Sequence, residues 1–320
     1  MGFVSDALAS IGLNEFVITL MFVNAILAMS IYLTLYGGMF SLANAGFMAI
    51  GSYVSVILTQ SHDWPFLPAI LAGMVAAGLI AIPIGLPVLR LRDIYLAIAT
   101  IGFVEITRIM ILNLDKIIAE AYTRLHMESE PPKITNGPLG ITGIPVETKL
   151  EYLVVTVIIL SYFMIRMHRS RFGRALAAIR QDENVAASQG INVVYYKNAA
   201  FILGAMMAGL GGGFSGHLSR IIQPGSYGFG TAVDILAYSV LGGISSWYGP
   251  ILGGLALTAL PEVLRPLKEY TGLINGVVLL IFIAYLPGGL GDPALWRSVR
   301  KTVGRIINFI NKGKTADAGA

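Results

Sequence analysis

Residues 166–191 read RMHRSRFGRALAAIRQDENVAASQGI, and this stretch decides the fold through its contrast with what flanks it. Five arginines, Arg166, Arg169, Arg171, Arg174 and Arg180, precede its first acid, Asp182, in a chain of 320 residues that is 55% hydrophobic and only 12% charged. Soluble domains carry roughly 25% charged residues, so the apolar remainder reads as membrane-spanning. The basic stretch is then a loop held on the cytoplasmic side by the bias that keeps Lys and Arg inside. Ala175, Leu176, Ala178, Ile179, Ala186 and Ala187 give it a small-residue helix, and Gly190 supplies a stop. Such a helix suits the docking of another protein; a solvated loop that only sets topology is the other reading.

Working outward, apolar runs mark spans near 16–36, 39–58, 66–89, 94–113, 152–167, 195–214, 231–245, 249–264 and 272–286. The expected fold is therefore all-α and polytopic, with about eight to ten transmembrane helices in one integral unit over 1–320. No Lys or Arg precedes Arg90, whereas Asp6, Glu15 and Asp63 do, which places the N-terminus outside. Arg90 and Arg92 then fall inside, the mixed-charge connection 114–150 outside, and 166–180 inside again. The C-terminus follows inside with Arg297, Arg300, Lys301, Arg305, Lys312 and Lys314. Over 296–320, Trp296, Val299, Val303, Ile306, Ile307 and Ile310 recur at helical spacing, the pattern of an amphipathic helix lying on a lipid surface, followed by a tail. The opening MGFVSDALASIGLNE has no basic start and no small-residue cleavage site, so a removable signal peptide is not expected.

Several runs are interrupted. Pro83 and Pro87 lie within the third, and Gly242, Gly243, Gly249, Pro250, Gly253 and Gly254 break 231–264 into two short pieces. Broken segments at membrane depth are tolerated only where they are buried in protein or line a cavity. Gly211, Gly213 and Gly216 fit GxGxxG formally, but no strand–helix–strand unit surrounds them, and Gly209 with Gly213 and Gly212 with Gly216 read instead as small-residue surfaces for close helix approach. Gly313-Lys314-Thr315 ends like a phosphate-binding loop, yet Asn308 stands where its first glycine belongs. The chain is therefore not expected to bind ATP or any other cofactor. With no cysteine and with His62, His126, His168 and His217 scattered, no metal site is expected, and no nucleophile–base grouping points to an enzyme. The net charge of +4 comes from loops flanking apolar runs and is no nucleic-acid footprint.

Polar groups within spans carry more information, because charge in hydrocarbon is costly. Glu105 and Arg108 share one helix face and pair as helix glue or along a path, while Asp234 lies in a short broken span. Asn24, Asn44, Thr100, Thr107 and Asn275 bridge helices or bind a polar solute; of these, Asn44, Thr100 and Asn275 join Glu105 and Asp234 as candidates for a translocation path. An ion-coupled secondary transporter using Glu105 and Asp234, and a passive pore for a small neutral solute, are the rival classes.

DIYLAIATIGFVEITR at 93–108, TNGPLGI at 135–141, SRFGRALAAIRQDENVAASQGI at 170–191, LGGISSWYGPILGG at 241–254 and LPGGL at 286–290 occur together in one order. In these stretches the chain resembles the LivM-type permeases of branched-chain amino acid ABC importers. The resemblance implies a non-catalytic inner-membrane permease paired with a LivH-like one, two LivG/LivF-like ATPases that hold ATP and Mg, and a periplasmic substrate-binding protein. It also implies a cytoplasmic coupling segment at 168–191 that contacts the ATPases through Arg174, Arg180, Glu183, Ala186, Ala187 and Gly190. The importer pattern of EAA, three residues and Gly is met only in part, with Asn184 and Val185 where Glu and Ala would stand. Related urea importers share the architecture, so urea or short amides are the alternative cargo.

Overall fold

One helix organises the packing, and its glycines explain why. A computed structural model describes residues 14–91, 93–124, 132–263 and 289–292. Its helices are α1 (Glu15–Tyr36), α2 (Asn44–His62), α3 (Phe66–Val88), α4 (Asp93–Arg124), α5 (Leu150–Arg169), α6 (Arg171–Gln181), α7 (Glu183–Ser188), α8 (Val193–Leu218), α9 (Phe229–Gly242) and α10 (Gly249–Val263). At 26 residues α8 is ~39 Å long, enough to cross a ~30 Å hydrocarbon layer. It packs on α1, α2 and α3 at once. A methyl at Gly212 would lie 2.1 Å from the Met48 carbonyl oxygen, and one at Gly204 2.9 Å from that of Ser30. At a single point three helices meet backbone to backbone: a methyl on Gly51 of α2 would sit 2.1 Å from the Gly209 oxygen of α8, and one on Gly73 of α3 would sit 2.5 Å from the Gly51 oxygen. Lipid tails are as apolar as Leu, so helices in a membrane gain most from such close contact. The small-residue reading of the glycine run holds.

Around this centre the burial is uneven. α1 and α8 are mostly buried along their length, whereas α3, α4 and α5 turn broad apolar faces outward through Leu71, Leu79, Ile98, Ile106, Ile158 and Tyr162. Five helices, α1, α3, α4, α5 and α8, are long and apolar enough to cross a membrane, and α9 and α10 are shorter apolar helices. α2 has 19 residues and starts at Asn44 rather than 39, because residues 39–43 are not helical. That stretch is pinned where Met39 donates its N–H to the Thr34 carbonyl (2.9 Å) and Leu42 to the Thr100 hydroxyl (3.0 Å).

α4 outruns its expected end at residue 113, continuing to Arg124. The Asp115 carboxylate, one turn beyond the apolar run, accepts the N–H groups of Ile134 (2.8 Å) and Thr135 (2.9 Å) and so holds the returning chain against the helix. Beyond it, β1 (Ile141–Thr142) pairs antiparallel with β2 (Ile221–Ile222), a two-residue ladder with no counterpart in the expected all-helical layout. Between α9 and α10, Gly243 turns at φ +93°. There Gly291 donates to the Gly242 carbonyl (2.7 Å), Leu290 to that of Leu241 (3.0 Å), and the Ser246 hydroxyl to that of Gly291 (2.7 Å). The glycine-rich stretch 241–254 thus meets residues 290–291 in space. The expected ninth span over 272–286, with Asn275, and the amphipathic helix over 296–320 lie outside the described residues.

Candidate functional site

The basic stretch is not one helix but three pieces joined by two side-chain caps. Ser170 is extended (φ −81°, ψ 171°); its hydroxyl donates to the Met167 carbonyl (2.6 Å) and accepts from the Gly173 N–H (3.3 Å), ending α5 and starting α6. Asp182 does the same for α7, its carboxylate accepting from Asn184 N (2.8 Å) and Val185 N (3.0 Å). At the far end Gly190 takes φ +79° and stops α7, and the Asn192 side chain caps α8 by accepting from Tyr195 N (3.0 Å).

α6 divides its faces sharply. Ala175, Leu176 and Ile179 are buried, Leu176 among Met39, Leu96 and Ala200. Gly38, at φ +75°, lets α6 settle on the turn after α1: a side chain there would begin 3.0 Å from the Arg180 Cα. The Ala-rich face is therefore spent on the chain's own membrane helices. What remains outward is cationic, with Arg166, Arg169, Arg171, Arg174 and Arg180 all exposed. Among the described residues none of the five pairs with a carboxylate. In α7, Ala186 is buried while Ala187 is exposed, beside Val185 at 58% exposure. Glu183 forms an ion pair with Lys197 in the second turn of α8, and that lysine is only 6% exposed. Nothing in the sequence signalled this contact, since a lone lysine early in an apolar run reads as an interfacial anchor.

Within the spans the structure separates the polar candidates into two groups. Asn44 and Thr100 are interior: the Asn44 amide donates to the Ser30 hydroxyl (2.8 Å), and Thr100 donates within its own helix while accepting from Leu42. Thr107 donates to the Phe103 carbonyl, and Asn24 links α1 to α10 through the Thr258 hydroxyl (2.9 Å) and to α9 through that of Tyr238 (3.4 Å). Glu105 and Asp234 stand apart from these. Glu105 and Arg108 do pair, at 2.7 Å, each about one-third exposed. The second Glu105 oxygen accepts from Phe229 N (3.3 Å), where the first-turn N–H groups of α9 lack partners within the helix. Asp234 is exposed on α9, next to Val233 and one turn from Tyr238. Tyr238, Thr258 and the Ser52–Tyr227 hydroxyl pair (2.7 Å) are polar contacts that the sequence reading passed over, because tyrosines and serines inside apolar runs carry no pattern of their own.

Comparison with known proteins follows the same geography. The family model described as branched-chain amino acid transport system / permease component matches residues 13–283. The chain is 33% identical to the high-affinity branched-chain amino acid transport system permease protein LivM of Salmonella typhimurium, over 79% of this chain and 64% of that protein. It is 32% identical to LivM of Escherichia coli over the same shares. LivH of the Salmonella system, also a permease protein, is 27% identical over 82% of this chain and 89% of its own length. The aligned part thus spans just under two thirds of the LivM relatives. No solved structure matches the chain.

Proposed function

The chain belongs to the family of permease components of branched-chain amino acid transport systems, and from that premise we propose that it is a non-catalytic membrane subunit of an ATP-driven importer of branched-chain amino acids. The observation that carries the reading is the α6–α7 platform. It is a capped, cationic surface whose apolar face is packed on the turn after α1 and which is tied to α8, so a force on it reaches the spanning helices. In this reading the platform faces the cytoplasm of a cell bounded by an inner membrane, the N-terminus lies outside, and 1–320 acts as one permease unit. The platform meets two ATPase subunits, which hold the ATP and Mg that this chain does not. Arg174, Arg180, Glu183, Ala187 and Gly190 lie at or beside the contact, with Ala186 beneath it. A second, LivH-like permease completes the path, and a periplasmic binding protein delivers the cargo.

ATP binding draws the ATPases together and presses the platform; hydrolysis releases it. Because a ligand shifts a two-state equilibrium only by its differential affinity, the platform must be gripped differently in the two states. Exposed charge facing lipid costs roughly 3 kcal/mol at mid-membrane, which favours turning the Glu105–Arg108 pair, and Asp234 on α9, toward a hydrated path. A carboxylate and a guanidinium there complement the two ends of a zwitterionic amino acid. The five-component complex in liposomes tests the proposal: loaded binding protein should raise ATP hydrolysis and drive leucine uptake. Uptake of urea in place of leucine would overturn the cargo assignment, and uptake driven by an ion gradient would overturn the class.

A further inference from the structure

Platform and bundle are joined at two places of different chemistry. On the α1 side the joint is apolar: Leu176 is fully buried beside Met39 and the turn at Gly38. On the α8 side it is apolar for α6, with Leu176 beside Ala200 and Phe172 against Tyr196 (ring centroids 5.6 Å), and ionic for α7. Glu183 opens α7 and reaches Lys197, whose side chain is 7% exposed. Between α7, the end of α3 and the start of α8 there is a cavity of about 330 Å³, lined by Leu86, Arg90, Asn184, Ala187, Val194 and Asn198. Glu183 and Lys197 line the same cavity, so on that side the ion pair is a direct polar contact between α7 and α8 beside open space. In the same cavity wall the Asn198 side-chain oxygen is buried without a hydrogen-bond partner, so a small displacement of α7 or α8 there breaks no existing polar contact of Asn198.

We infer that the Glu183–Lys197 pair is the tie through which motion of α6–α7 is passed to α8, making Lys197 a positioning residue for transport. The inference rests on the importer reading above and deepens it. Its force comes from what lies above Lys197 on the same helix. α8 meets α2 and α3 at Gly209, Gly51 and Gly73 with backbone against backbone, and meets α2 again where Gly212 abuts the Met48 carbonyl. Contacts that tight leave α8 no room to slide past its neighbours, because interiors are close-packed and transmit strain. A pull on Lys197 thus moves α8, α2 and α3 together, while the apolar joint at Leu176 holds α6 to α1. The covalent link, residues 189–192, turns the chain from α7 into α8 with Gly190 at φ +79°.

The test uses the complete importer, with Lys197→Met, Glu183→Gln and the exchanged pair Lys197→Glu with Glu183→Lys. Three quantities are read: co-purification of the ATPases, ATP hydrolysis stimulated by leucine-loaded binding protein, and leucine moved per ATP. Lys197→Met, away from the ATPase contact, should keep the ATPases and hydrolyse within about twofold of wild type, yet move about fivefold less leucine per ATP, the lower edge of usual coupling energies. Glu183→Gln should lose leucine per ATP to the same extent, and the exchanged pair should recover most of that loss. Single variants with wild-type stoichiometry, Lys197→Met shedding the ATPases, or an exchanged pair no better than the singles would each overturn the tie. If the wild-type complex itself moves no leucine on ATP, the importer reading falls and the tie with it. A working wild type with unaffected variants overturns the tie alone.

Discussion

Replacing Gly212 by alanine tests the packing of α8 with a single methyl. That methyl would lie 2.1 Å from the Met48 carbonyl oxygen and 2.8 Å from its carbon, against the 3.4 Å at which ordinary contact begins. The obstacle is backbone, so no rotamer change relieves it, and α2 must retreat from α8 by about 1 Å. Overpacking of this kind costs about 3 kcal/mol at the upper end of its usual range. A gap of that width also forfeits a quarter to a half of the dispersion along the contact. Alanine's better helix propensity returns about 1 kcal/mol, leaving a net loss of about 2 kcal/mol. The control is Gly102→Ala in α4, where nothing lies within 4 Å of the added methyl. There only the propensity gain of about 1 kcal/mol applies. Thermal unfolding in detergent should show Gly212→Ala melting ~3 °C below wild type and Gly102→Ala at or slightly above it. If Gly212→Ala is as stable as Gly102→Ala, α8 is not packed as described and the reasoning fails.

Ser52→Ala and Tyr227→Phe should each destabilise by about 1–3 kcal/mol, since each strands a buried hydroxyl, while the double variant loses less than their sum; a thermal-melt cycle checks this. Leu176→Ala should cost about 2–5 kcal/mol locally and loosen α6, so that trypsin cuts faster at Arg171, Arg174 and Arg180 while spans stay protected. Asn44 and Asp234 should part company. Asn44→Ala removes an interior hydrogen bond and lowers stability by about 1 kcal/mol. Asp234→Asn should leave the melting temperature unchanged and cut leucine uptake about tenfold, the equivalent of 1.4 kcal/mol.

How far the sequence reached is clearest at particular residues. The cores of α1, α3, α5 and α8 are legible because apolar runs of membrane length have few alternatives. Hydropathy misplaced the end of α4, since it reports where lipid stops rather than where the helix stops; beyond Asn113 the helix continues with Asp115 and Lys116. The start of α2 was misplaced for the opposite reason, residues 39–43 being apolar but held non-helical by Thr34 and Thr100. In the basic stretch the helix and the Gly190 stop were readable, but the caps at Ser170 and Asp182 that fold it into two were not weighed. Amphipathicity alone did not say which face of α6 is outward. The alanines read as offered to a partner, whereas Gly38 and Met39 bury that face and leave the arginines exposed. Polar residues in spans could be counted but not sorted, because only packing decides that Asn44 is satisfied by Ser30 and that Asp234 is not enclosed.

Proposed to conduct but not to power transport, this chain meets its most direct test in reconstitution. Reconstituted alone in sealed liposomes with labelled leucine outside and either ATP or an imposed proton or sodium gradient, it should accumulate none; with the second permease, both ATPases and the binding protein added, ATP should drive leucine above its external concentration. Accumulation by the chain alone on an ion gradient, or by the full complex without ATP, would contradict that proposal.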